Sequence, residues 1–200
     1  MATDEISKDE MLHEAKNMAR ITKNKHIVNL QGISLHQEKI YLLLEYCALG
    51  SVDTYLRKND LHYIECVENN DYEFLLRCCT QVSEGMIFLV DKGIIHADLA
   101  ARNVLITSDM NIKVADFGLS TRIYSNVGDS SASGSTGSKA PKYQMIPLRW
   151  SSYEILKSKH AVIEFSDVWS FGVYMWEVFQ LGRGLPYVGV SDGKTSVSLS

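Results

Sequence analysis

The sequence predicts an α+β fold, and three features carry that prediction. Ile95–Gly118, IHADLAARNVLITSDMNIKVADFG, holds two β-branched apolar runs around a Ser-Asp-Met-Asn turn, which is a hairpin signal. Two more strand-like runs, His26–Ser34 and Lys39–Tyr46, flank a polar turn at His36-Gln-Glu. Other segments repeat apolar residues at steps of three or four, the helical spacing.

Composition sets the bounds. With 200 residues and 46% hydrophobic content, the chain can bury one sizeable core. Its net charge of −4 gives no support for nucleic-acid binding, and no nucleic-acid partner is expected. No apolar run approaches the roughly 20 residues of a membrane helix, so no membrane segment is expected. MATDEISKDEM does not have the pattern of a signal peptide. Cys47, Cys66, Cys78 and Cys79 lack CxxC spacing and read as reduced thiols.

Taken in order, Asp9–Ile21 predicts a helix on the recurrence of Met11, Ala15, Met18 and Ile21, with a capping box at Ser7–Glu10. Leu42–Leu44 reads as a buried part of the second strand. Gly50–Lys58 begins a short helix, and the polar Lys58–Asp71 reads as a loop. Phe74–Val90 predicts a long helix with Leu75, Cys79, Val82, Met86 and Leu89 on its buried face, stopped by Gly93. In the hairpin, strands Val104–Ile106 and Ile112–Val114 flank the turn Thr107–Asn111. Asn103 and Asp116 are equally far from the turn's centre, which predicts that they return side by side, with Asp98 on the same rim. Two carboxylates and a carboxamide there suit a hard cation such as Mg²⁺. Ser125–Lys142 is rich in Ser and Gly, with too few apolar residues to pack. Ser166–Phe179 reads as a helix buried on most faces.

HADLAARN (His96–Asn103) followed by DFG (Asp116–Gly118) resembles the catalytic and metal-binding loops of protein kinases, in the tyrosine-kinase form HRDLAARN. PLRW (Pro147–Trp150) and SDVWSFGVYMWEVF (Ser166–Phe179) resemble further tyrosine-kinase segments. The resemblance implies a two-lobe fold with a partial N-lobe over residues 1–46, a hinge and mostly helical C-lobe over 47–190, and a divergent tail over 191–200. It implies ATP and Mg²⁺ as cofactors. Asp98 matches the base that accepts the substrate hydroxyl proton, and Asn103 and Asp116 match the metal ligands. Arg102 lies where tyrosine kinases differ from serine/threonine kinases, which usually place a lysine two residues after the aspartate; Asp98-Leu-Ala-Ala has none. Glu14 matches the glutamate that pairs with the ATP-anchoring lysine. Leu44 takes the gatekeeper position, Glu45-Tyr46-Cys47 the adenine hinge, and Ser51 the place beside the ribose. Asp167 matches the residue that braces the catalytic loop through backbone amides. Tyr124 and Tyr143 are candidate phosphorylation sites or ordinary surface tyrosines.

The sequence also departs from the family pattern. Ala97 replaces the arginine that pairs with a phosphorylated activation-loop residue, so Tyr143 phosphorylation is expected to raise activity only modestly. Tyr153 replaces a proline, while Glu154 is kept. No Gly-rich phosphate loop or Val-Ala-x-Lys strand occurs, and similarity fades into VSDGKTSVSLS. A truncated domain with very weak or undetectable phosphotransfer is therefore expected. Two functions follow: an ATP-dependent protein-tyrosine kinase acting on tyrosine-bearing protein substrates in signalling, or a catalytically inactive, kinase-like binding or scaffold module. The expected location is cytoplasmic, alone or as the cytoplasmic part of a longer receptor.

Overall fold

A computed structural model of the chain describes residues 8–21, 23–36, 39–122, 147–158 and 165–188. Ser7 of the expected capping box, the Ser125–Lys142 segment, Tyr124, Tyr143 and the 191–200 tail lie outside the described residues.

Six helices and several small antiparallel sheets make up the described part. Helix α1 (Lys8–Arg20) turns Ala15 and Met18 inward and is followed by the hairpin β1 (Leu30–His36) and β2 (Lys39–Leu44). The register runs from Leu30 opposite Leu44 to His36 opposite Lys39, with an irregularity between Leu30 and Gly32. The expected first strand began too early. Residues 26–28 do not pair with the second strand, although Asn29 O accepts from Glu45 N–H just beyond β2; Val28 N–H instead donates to Val114 O at 2.8 Å and Val114 N–H to His26 O at 2.9 Å. Leu42–Leu44 is not buried as expected either: Leu42 is half-buried and Leu43 and Leu44 are exposed, as are Ile33, Leu35 and Tyr41, because a two-stranded sheet has too little partner surface to cover both faces.

A short strand β3 (Gly50–Ser51) leads into α2 (Val52–Lys58), which buries Val52 and Leu56. The polar stretch expected as a loop holds helix α3 (Asp60–Glu68). Its apolar signal is weak because only one side is used. Tyr63 is buried and stacks on Phe74 at 5.1 Å, whereas Leu61 is 79% exposed. Asn70, with φ of 60°, ends it in the left-handed region that asparagine tolerates.

Helix α4 (Glu73–Asp91) is the axis of the core. Phe74, Leu75, Cys78, Val82, Met86 and Leu89 are buried; Cys78 is fully enclosed, while the expected Cys79 packs against the same core only in part. Gly93, at φ 64°, stops the helix with its N–H on Val90 O at 2.8 Å. All four cysteines are free.

Strands β5 (Val104–Ile106) and β6 (Ile112–Val114) form the central hairpin, with β3 on the outer side of β5. Val104, Ile106, Ile112 and Val114 are fully buried, and each such burial contributes about 1.5–3 kcal/mol. Two short strands, β4 (Ile94–Ile95) and β7 (Thr121–Arg122), pair with one another, bracketing the His96–Ser120 stretch. Helix α5 (Tyr153–Ser158) precedes α6 (Ser166–Phe179). Tyr174 of α6 is fully buried and its hydroxyl donates to Cys78 O at 3.3 Å, locking α6 onto α4. The opposite side of α6 corrects the expectation of burial on most faces. Val168, Trp169 and Trp176 line an open groove of about 740 Å³ with Phe165, Pro186 and Tyr187. Among the described residues, no helix is long and apolar enough to cross a membrane.

Candidate active site

The site lies at the open end of the β5–β6 hairpin. Register pairs Val104 with Val114, and Ala115 N–H donates to Asn103 O at 2.8 Å. Asn103 is therefore opposite Ala115, and Asp116 stands one residue further on. The expected side-by-side return is off by one residue, because the register is centred on Asp109, the middle of Thr107–Asn111, which is nearer to Asn103 than to Asp116. Asp116 then adopts φ 63°, a left-handed residue that changes the direction of the chain where the strand ends. Its Oδ1 accepts from Gly118 N–H at 3.2 Å.

Asp98 is held from several sides. The Asn103 carboxamide donates to both its carbonyl oxygen and its Oδ2, each at 2.8 Å. Arg102 pairs with its other carboxylate oxygen, and the same guanidinium lies 4.3 Å from the centre of the Trp150 ring. Asp98 N–H donates to His96 Nδ1 at 3.2 Å. Burial pushes the Asp98 carboxyl above its ordinary range, and the positive charge of Arg102 and the Asn103 bond offset this only in part. Asp116 adds to the rise. Glu14 of α1 is also raised, first by burial and then by the charge of Asp116, with the Phe117 amide acting against both. Asp98 and Glu14 thus both feel Asp116, and this concentration of negative charge favours a cation.

The loop carrying Asp98 is braced from α6. Asp167 Oδ2 accepts from His96 N–H at 2.7 Å and its Oδ1 from Ala97 N–H at 2.9 Å, as the resemblance led one to expect. Ala97, at φ 65°, occupies the left-handed region, which costs a non-glycine residue roughly 1–2 kcal/mol. Glu177 supports the same loop by accepting from Ala101 N–H at 2.9 Å and from the Trp150 indole at 3.0 Å. Burial raises the Glu177 carboxyl despite those two donors.

On the hinge side, Glu45 accepts from the Asn29 side chain at 2.7 Å and from Lys113 Nζ at 3.0 Å. Burial opposes its ionisation, but the Lys113 and Asn29 bonds outweigh this and hold it below the usual range. Its backbone N–H is spent on Asn29 O at 2.9 Å. Cys47 is buried beside Val28 and Ala115, and Leu44 is partly exposed next to Leu30 in the sheet. The Ser51 hydroxyl bonds Asp53 and Thr54 at the start of α2.

Asn29, Lys113 and Glu177 were missed by the sequence reading, although two of them carried a signal. Lys113 is a charge inside a three-residue strand buried throughout, and Glu177 is an acid in an otherwise apolar turn of α6. A buried charge requires a partner.

The donor set fits a hard divalent cation. Asn103 spends its Nδ2 on Asp98, leaving Oδ1 as its acceptor, and Asp116 supplies a carboxylate. No group of three or more His, Cys, Asp or Glu side chains forms a metal cage among the described residues. Two oxygen ligands suit Mg²⁺, which keeps several waters and binds phosphate oxygens.

The protein tyrosine and serine/threonine kinase family model matches residues 1–199. Fibroblast growth factor receptor 1 of Xenopus laevis is 37% identical over 200 aligned residues, covering 95% of this chain and 23% of the frog protein. The same receptor of Pleurodeles waltl is 36% identical with the same coverage. The chain thus spans about a quarter of the length of these relatives. On the family match over nearly its whole length, the chain belongs to the protein tyrosine and serine/threonine kinases.

Proposed function

We propose that this chain is the catalytic core of a protein-tyrosine kinase that transfers the γ-phosphoryl group of ATP to tyrosine hydroxyls of proteins in signalling. One observation carries this reading: Asp98, Asn103 and Asp116 gather at one hairpin mouth, with the Asp98 loop braced by a buried aspartate from α6. Kinase membership implies ATP and a divalent metal in general terms. The finer assignment is Mg²⁺ on Asn103 and Asp116, which when bound neutralises phosphate charge. Asp98 orients the tyrosine hydroxyl and accepts its proton. Arg102, held between Asp98 and the Trp150 ring, keeps that carboxylate in place. Adenine sits against the backbone of Glu45 and Cys47, with Leu44 behind it and Ser51 near the ribose. Glu14 supports the phosphate end, and Tyr124 and Tyr143 are regulatory phosphorylation sites. The working location is cytoplasmic.

The reading is tested by incubating the chain with radiolabelled ATP, Mg²⁺ and two random copolymers, one bearing tyrosine and one bearing serine. Slow incorporation into the tyrosine polymer, abolished by a chelator, is expected. Faster labelling of the serine polymer overturns the tyrosine assignment. No labelling with the chain in excess over substrate leaves the inactive binding module instead.

A further inference from the structure

Residues 23–29 connect α1 to β1, and His26 in this connection is only 4% exposed. Its Nδ1 lies 3.1 Å from Ile112 O on β6, and its Nε2 lies 2.9 Å from Glu84 Oε2 on α4. A carbonyl oxygen and a carboxylate oxygen accept hydrogen bonds and donate none. Both ring nitrogens must therefore carry hydrogen, whereas a neutral imidazole carries one. The pair holds one proton more than a neutral histidine beside an ionised glutamate. His96 makes the contrast: its Nε2 faces Ala115 O at 3.0 Å while its Nδ1 accepts from Asp98 N–H, so a single ring hydrogen satisfies it.

The backbone of His26 adds to the grip. Its carbonyl accepts from Val114 N–H at 2.9 Å, so one residue holds both Ile112 and Val114 of β6, two positions before Asp116. Helix α4 comes close at Gly85, where a Cβ would lie 2.9 Å from His26 O. The charged groups around this connection are Glu84 from α4, Lys113 from β6, whose Nζ is 3.4 Å from Ile27 O, and Lys23 and Lys25 on its own exposed positions.

We propose that His26 and Glu84 form a proton-holding clasp, and that His26 is a positioning residue that fixes β6, and through it Asp116, against α4. The clasp stands on the geometry alone; its bearing on phosphoryl transfer rests on the kinase reading, so the test reads the clasp and not turnover. Glu84 is 56% exposed on its side chain and can swing into water when the shared proton leaves. A glutamine at position 84 can either accept from a protonated Nε2 or donate to a bare one, so Glu84→Gln removes the proton requirement while keeping a bond.

The experiment uses the full 200-residue chain. Histidine ¹⁵N spectra, assigned with His26→Asn, are expected to show hydrogen on both ring nitrogens of His26 in the wild type at neutral pH. Amide exchange protection at Val28 and Val114 is expected to fall about three- to fivefold in Glu84→Ala, the size of an ion pair with one water-exposed partner, and to be kept in Glu84→Gln. A single protonated ring nitrogen in the wild type, or protection unchanged in Glu84→Ala, overturns the clasp. If His26→Asn does not fold, the Glu84 comparison still decides.

Discussion

Replacing Asp98 by asparagine should lower phosphoryl transfer by a factor on the order of 10²–10⁴ while leaving the fold at least as stable at neutral pH. Asparagine keeps one oxygen for Asn103 and leaves Arg102, part-exposed and resting on the Trp150 ring, to water, but it cannot take the hydroxyl proton. The stability half follows from the sign of the Asp98 shift. Burial raises its folded-state value, so the favourable contribution is present below the unfolded value and lost as pH rises through the folded one. At neutral pH the ionised carboxylate therefore costs stability, and the carboxamide removes that cost. The same shift moves the acid limb of the wild-type rate profile above the ordinary carboxylate range. Steady-state rates across pH, with urea melts of both proteins, check the two halves separately. A variant that loses activity only in step with lost structure would contradict the base assignment.

The largest stability effect is expected at Asp167. In Asp167→Ala, the His96 and Ala97 amides lose their shared acceptor in the interior. Charge-assisted bonds of this kind are worth about 1.5–3 kcal/mol each, so a loss of about 3–5 kcal/mol is predicted. Ala97 adds to the sensitivity, because its left-handed backbone is held in place by one of those bonds. Asp167→Asn offers a single oxygen and should fall between the two. Urea midpoints at an unchanged slope measure the difference. A loss under about 1 kcal/mol in Asp167→Ala would mean that water replaces the carboxylate and that the brace is not structural.

How legible the molecule was depended on whether a residue's job is local. The α4 helix, the central hairpin and its turn could be read from spacing, because each is specified by its own periodicity and turn chemistry. The Asp167 brace was legible only by resemblance, since nothing local says which amides a carboxylate 70 residues away will accept. Helix α3 was hidden by a thin apolar stripe that needs Phe74 of α4 to become a core contact. The offset between Asn103 and Asp116 was legible in the turn itself, since the register is centred on Asp109, the middle of Thr107–Asn111, one residue nearer to Asn103 than to Asp116. Asn29, Lys113 and Glu45 meet from three separate segments, and only the packed structure brings them together.

The central claim is that the hairpin mouth holds a metal–nucleotide pair through Asn103 and Asp116. It is tested most directly by titrating the chain with a fluorescent ATP analogue, with and without Mg²⁺, beside Asp116→Asn. Wild type should bind at least about tenfold tighter with Mg²⁺, a difference of about 1.4 kcal/mol, and the variant should show little or no gain. Equal Mg²⁺ dependence in both proteins, or binding indifferent to Mg²⁺ in the wild type, would contradict it.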